Sequence, residues 1–130
     1  MFKGDDATTE VNQYGAIIFM HSAGDDSLAA RLSYTEFTNV GQAFKQGRYP
    51  IHFHLIGEVP MSYALGNTVH QSFNRAFTIH GTKYLRIIDN VVYDSKGHSI
   101  FIEDGIERRN LVQGNLIMAT KRSWSLLNTD

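Results

Sequence analysis

Six histidines carry most of the chemical potential of this sequence: His21, His52, His54, His70, His80 and His98. His52 and His54 alternate with Ile51, Phe53 and Leu55. In an extended strand successive side chains point to opposite faces, so the three apolar residues share one face and both imidazoles the other. Downstream, Phe77 and Ile79 take inward places and leave His80 outward, and Ile100 and Ile102 do the same for Glu103. If these segments lie on one another in successive layers, His54, His80 and Glu103 form a ladder with neighbours about 5 Å apart. A one-residue slip puts Asp104 in the last place instead. Three chemistries are open to such a ladder. His54, His80 and Glu103 can ligate a divalent metal, a donor set that suits zinc. His80 with Glu103 or Asp104 can act as a catalytic acid–base pair. The third reading is structural, polar rungs that hydrogen-bond to each other and to loops.

A second group could bind a ligand: Arg48, Tyr49, His52 and Arg75, with Arg86 beside them. A guanidinium next to an aromatic ring can grip a carboxylate while the ring stacks on a flat ligand. The alternative for Arg48 is that it ties down the Gly47-to-Pro50 corner through backbone carbonyls. The run Glu103-Asp104-Gly105-Ile106-Glu107 is acidic and turn-like, and calcium is the cation its oxygens would take, although the spacing is not that of an EF-hand. With no cysteine, disulfides, thiolate metal sites and a cysteine nucleophile are excluded. No phosphate-loop, dinucleotide or serine-elbow pattern occurs.

The elements that must position these residues are strands. Apolar residues come in short bursts, many β-branched or aromatic, such as Ala16 to Met20, Phe77 to Ile79, Leu85 to Ile88, Val91 to Tyr93 and Ile100 to Ile102. Gly, Asn, Asp and Ser separate them, and helical periodicity is poor throughout. The two prolines, Pro50 and Pro60, flank the strand from Ile51 to Ile56, as a missing backbone donor requires. The bursts repeat. Leu65-Gly66-Asn67-Thr68-Val69-His70, Ile88-Asp89-Asn90-Val91-Val92-Tyr93 and Gln113-Gly114-Asn115-Leu116-Ile117-Met118 are copies of one pattern, with a period of ~24 residues. Leu32 to Val40 followed by Ile51 to Gly57 reads as an earlier copy with a loop inserted.

A period of that size with two or three strands per turn specifies an all-β, right-handed parallel β-helix, a solenoid of about four coils. Residues 1–30 form an irregular first coil and 31–130 the repeat coils. Asn at a coil corner tolerates the left-handed conformation, and its amide can bond to its counterpart in the next coil. Gly15, Gly41, Gly57, Gly81 and Gly97 also read as corners. The tail Trp124-Ser125-Leu126-Leu127-Asn128 reads as the start of a further turn. Without caps, the stack is expected to continue onto further coils of a longer parent or onto a second subunit.

The 130 residues, 42% hydrophobic, are sized for one core. A net charge of −1 with scattered Lys and Arg gives no reason to expect nucleic acid. No apolar run is long enough to span a bilayer, so no membrane insertion by this segment is expected. The acidic N-terminus lacks the apolar region of a signal peptide, which places any export signal outside this chain.

The run Gly47-Arg48-Tyr49-Pro50-Ile51-His52-Phe53-His54 is distinctive. Three stretches follow it in register: His70 to His80, Phe101-Ile102-Glu103-Asp104-Gly105-Ile106-Glu107, and Ser125 to Asn128. Together, over roughly residues 30 to 128, they resemble the parallel β-helix repeat region of the fibrocystin-L-like group. That group also holds fibrocystin, the hyaluronan-binding CEMIP proteins and the cell-surface hyaluronidases. The resemblance implies a large extracellular or membrane-anchored parent with a G8 domain and β-helix repeats. It implies either a structural or carbohydrate-recognition role, with hyaluronan or another polysaccharide as partner, or hyaluronan depolymerisation. The resemblance does not place that activity's residues on this segment; the ladder itself offers His80, Glu103 and Asp104 for the glycosidic bond, which generally takes two carboxyl groups, with Glu107 the other local candidate.

Overall fold

In the computed structural model, residues 1–22 and 27–123 are described. The chain winds as a parallel β-helix. Its elements, in chain order, are β1 (Phe2–Lys3), α1 (Asp6–Asn12), β2 (Ile18–His21), β3 (Arg31–Ser33), β4 (Glu36–Val40), β5 (Ile51–Glu58), β6 (Tyr63–Leu65), β7 (Thr68–Ser72), β8 (Phe77–Lys83), β9 (Arg86–Ile88), β10 (Val91–Ser95), β11 (Ile100–Ile102), β12 (Leu111–Gln113) and β13 (Leu116–Met118). Every third strand is a neighbour. Three sheets result, ordered β1-β4-β7-β10-β13, β2-β5-β8-β11 and β3-β6-β9-β12. All pairings between these strands are parallel.

The register explains the core. Ile51 pairs with Phe77 and Phe53 with Ile79, Phe37 with Val69, Val69 with Val92, and Ala64 with Ile87. Each apolar residue thus sits on its counterpart in the next rung, and all of these are buried. Each fully buried Ile, Val or Phe contributes about 1.5–3 kcal/mol. No rung can bury its own apolar set alone, so stacking and folding are one event.

The asparagine corner forms as the repeat requires. Asn90 Oδ1 accepts from the backbone N of Asn67 at 2.9 Å and from its Nδ2 at 3.0 Å. Asn115 Oδ1 takes the same two bonds from Asn90, each at 2.9 Å. Each amide also reaches back to a carbonyl of the preceding rung: Asn67 to Leu32, Asn90 to Ala64 and Asn115 to Ile87. The column extends one rung further, where Thr35 N donates to Asn67 Oδ1.

The coils are unequal, as the inserted loop requires: Thr35 and Asn67 are 32 residues apart in the ladder, against 23 and 25 for the next two steps. The excess is the loop over 41–50. Two points depart from the sequence expectation. The first coil contains α1, seven residues with too few apolar positions to show a period. Leu55 does not point inward. It takes φ +50° at a bulge in β5, stands half exposed, and hands the buried place to Ile56. Ile102 keeps the inward column, paired with Ile79, and is 46% exposed because no rung covers it among the described residues. The stretch Trp124 to Asn128 lies outside the described residues.

Candidate functional site

The histidine face is the outer surface of the sheet β2-β5-β8-β11. Register places His21, His54 and His80 in one column across three rungs. Phe19 and His52 pair in the column beside it. Parallel strands keep this column straight because the apolar residues between its members are locked into the core.

His52 points outward but is buried, 1% exposed. The loop before β5 folds over it. Its Nδ1 lies 2.9 Å from the carbonyl oxygen of Gly47, and its ring lies 4.8 Å from that of Tyr49 and 5.1 Å, edge-on, from Phe19. A carbonyl can only accept, so the proton sits on Nδ1 and the lone pair on Nε2. Burial lowers its pKa to about 4; the Gly47 bond opposes this, and nearby His54, His80 and Arg75 add to it. His54 is lowered as well, first by burial and then by His80 and His21, with Asp104 pulling the other way. His52 is therefore neutral near pH 7.

Three ring nitrogens converge. His54 Nδ1 lies 3.3 Å from His52 Nε2 and 3.1 Å from His80 Nδ1. Both sides of the His80 ring meet acid: Nε2 is 3.0 Å from Asp104 Oδ2, and Nδ1 is 3.6 Å from Glu103 Oε2. That Glu103 oxygen is buried and makes no hydrogen bond among the described residues. Glu107 Oε1 accepts from the backbone N of Gly81 at 2.8 Å and of Asp104 at 3.2 Å. Burial alone would raise the Glu107 pKa, but these amides outweigh it and hold the carboxyl below its usual value. Glu107 thus pins the turn that carries Asp104. His21 closes the upper end, with Nδ1 3.0 Å from the carbonyl oxygen of His54.

The expected residues separate into two groups. His54, His80, Glu103 and Asp104 meet at one place, and His52 joins them. The pattern of alternation put His52 outward; only the fold of the 41–50 loop shows that it is sealed against its neighbours. Tyr49 and Arg75 are corrected. Both are buried, and Arg75 Nη1 donates to Tyr49 Oη at 3.0 Å with its guanidinium 3.8 Å over the Phe101 ring. An arginine sandwiched in this way packs over Phe101, in the outward column that also holds His52 and Thr78, and offers no free fork to a ligand. Arg48 is exposed, and its backbone carbonyl accepts from Gln42 N at 2.9 Å. Arg86 lies on another sheet, 5.5 Å over the ring of Tyr63. His70 pairs with Glu36 at 2.9 Å on the β4–β7 sheet, and His98 packs on Phe101. The missed feature was Phe19, whose burst was legible as a strand but whose outward ring carried no signal of its own.

Residues 13–130 match the CEMIP beta-helix family. The chain belongs to that family. Among proteins similar to this CEMIP beta-helix chain is fibrocystin-L of Mus musculus, 47% identical over 122 residues, which is 92% of this chain and 3% of the relative. The cell surface hyaluronidase CEMIP2 of Homo sapiens is 43% identical over 109 residues, 78% of this chain and 8% of the relative. The cell migration-inducing and hyaluronan-binding protein of Homo sapiens is 42% identical over the same length and shares. The CEMIP beta-helix chain thus spans a small part of each relative's length. No helix among its described residues is long and apolar enough to cross a membrane.

Proposed function

We propose that this chain is a β-helix segment of an extracellular surface protein and that its histidine face contacts an anionic polysaccharide of the hyaluronan class. The observation that carries the reading is the group of rings on the outside of the helix, His21, His54 and His80 in one column with Phe19 in the column beside it. Phe19 and His54 lie 5.0 Å apart, His21 and His54 5.5 Å, and His54 and His80 4.7 Å. Phe19 is 45% exposed. Aromatic rings grouped on an outer face suit the apolar faces of sugars, and the outward N–H groups of a histidine can bond to hydroxyls. The names of two relatives, one a hyaluronidase and one hyaluronan-binding, support the choice of polymer.

A second reading, depolymerisation, is favoured by one contact, that of His80 with Asp104, an acid–base pair at the edge of the column. One experiment separates the two. The chain is incubated with hyaluronan of defined length; binding is read by interferometry, and polymer size by gel filtration afterwards. Binding that is lost in Phe19→Ser, with polymer length unchanged, supports recognition. Shortening that is lost in Asp104→Asn supports the second reading. A folded chain that neither binds nor shortens hyaluronan removes both.

A further inference from the structure

The three converging nitrogens pose a proton-counting problem. His52 Nε2 carries a lone pair, because Gly47 holds the proton on Nδ1. Neutral His80 has one ring proton, and it belongs on Nε2, which faces the nearer of its two carboxylates, Asp104 at 3.0 Å against Glu103 at 3.6 Å; the lone pair is then on Nδ1. His54 Nδ1 stands between them, at 3.3 Å and 3.1 Å. If His54 bears a proton there, it can serve one neighbour and not both. If it does not, three lone pairs face one another. A cation satisfies all three at once.

The dimensions fit a specific class of cation. Two nitrogens bound at 2.0–2.1 Å to a tetrahedral zinc stand about 3.3–3.4 Å apart. Two of the three separations match, at 3.3 Å and 3.1 Å, and all three ligand atoms lie within 4.8 Å of one another. The orienting partners are those of a metal-bound imidazole: a backbone carbonyl behind His52 and a carboxylate behind His80. A fourth donor is near, the buried Glu103 Oε2, which makes no hydrogen bond among the described residues and lies 3.6 Å from His80 Nδ1. Imidazole donors select zinc and its transition-metal neighbours, whereas calcium takes six to eight oxygens.

We propose that His52 Nε2, His54 Nδ1 and His80 Nδ1 hold a divalent transition-metal ion of the zinc class on the outer face of β5 and β8, with Asp104 as the positioning residue behind His80 and Glu103 as the carboxylate at hand. The proposal stands apart from the polysaccharide reading. The set differs from the ladder expected from the repeat by one member: His52 enters from the neighbouring column, because the loop over it turns its ring toward His54.

The test uses the chain stripped with chelator and titrated with Zn²⁺ alone, read by calorimetry. In parallel, nitrogen-detected histidine spectra report which ring atoms respond. One ion per chain is expected, with shifts at His52 Nε2, His54 Nδ1 and His80 Nδ1. Binding should vanish in His54→Ala and persist in His70→Ala, whose ring sits on another sheet. Asp104→Asn should weaken binding about 10–100-fold, as expected for loss of an orienting carboxylate. Co²⁺ should substitute with the absorption of a four-coordinate site. The ring spectra are read on the unaltered protein, so a variant that fails to fold leaves the answer intact. A folded chain that takes up no Zn²⁺, or one in which the responding nitrogens belong to other histidines, overturns the proposal.

Discussion

At the scale of single residues, stability and chemistry are set by which polar atoms are sealed from water. Asn90 shows this most plainly. Its amide accepts from Asn67 twice and donates to Ala64 and Asn115, all in a fully buried corner. Asn90→Ala strands a buried backbone N–H and a buried carbonyl, each worth about 1–3 kcal/mol. The expected loss is about 2–4 kcal/mol in chemical denaturation. Asn115→Ala, at a half-exposed position, should cost clearly less because water replaces the lost partners. Equal losses at the two sites would show that the ladder is not graded by burial.

His52 gives a residue-scale prediction in pH. In the metal-free chain its folded pKa is about 4 and its ordinary value 6.5. Between those values the unfolded state binds more protons than the folded one, so stability rises with pH there. The contribution is complete above about 6.5 and is lost progressively as pH falls toward about 4. The ring spectra of His52 should show it unprotonated at pH 5.5. A protonation midpoint at 6 or above would mean that the loop does not seal the ring.

At the scale of the element, β5 and β8 hold the site, and one irregularity defines where their regular part stops. The bulge after His54 turns Leu55 outward at positive φ, and Gly81 opposite it has φ +54°. A methyl group there would stand 2.6 Å from Leu55 Cδ2 and 3.3 Å from Leu55 Cα. Gly81→Ala should therefore cost about 1–2 kcal/mol from the left-handed backbone alone, plus a clash that is mostly side chain. Adding Leu55→Ala should recover the clash portion and leave the backbone portion. Full recovery would mean that the conformation at Gly81 carries no strain for alanine.

The same pair of strands shows what the sequence made legible. Strand positions, the asparagine column and the His54–His80 pairing follow from periods of 2 and ~24, which depend on local alternation and repeat spacing. Leu55 broke the rule because a bulge shifts the alternation by one residue and leaves no mark in composition. Arg75 and Tyr49 looked like a surface grip since charge and aromatic character are visible in sequence. Their burial depends on how residues 41–50 fold back, a tertiary contact with no periodic signature. The same loop turned His52 from an exposed side chain into the third member of the cluster.

At the scale of the whole molecule, charge decides what the histidine face can hold. The chain carries a net −1, His52 is neutral near pH 7, and Glu103, Asp104 and Glu107 surround the foot of the column. Without an ion, these three carboxylates oppose a polyanionic sugar. A divalent ion in the three-nitrogen pocket reverses that balance within a few ångströms of where the polymer would stack, inside the screening length of physiological salt. The two proposals then predict a linkage that neither makes alone. Hyaluronan affinity should fall at least about tenfold, or about 1.4 kcal/mol, when the chain is stripped of metal, and should return on adding Zn²⁺. An uncharged glucan should show no such dependence. If stripped and loaded chains bind hyaluronan equally while Zn²⁺ still titrates the three nitrogens, the ion stands and the polymer lies on another face of the helix.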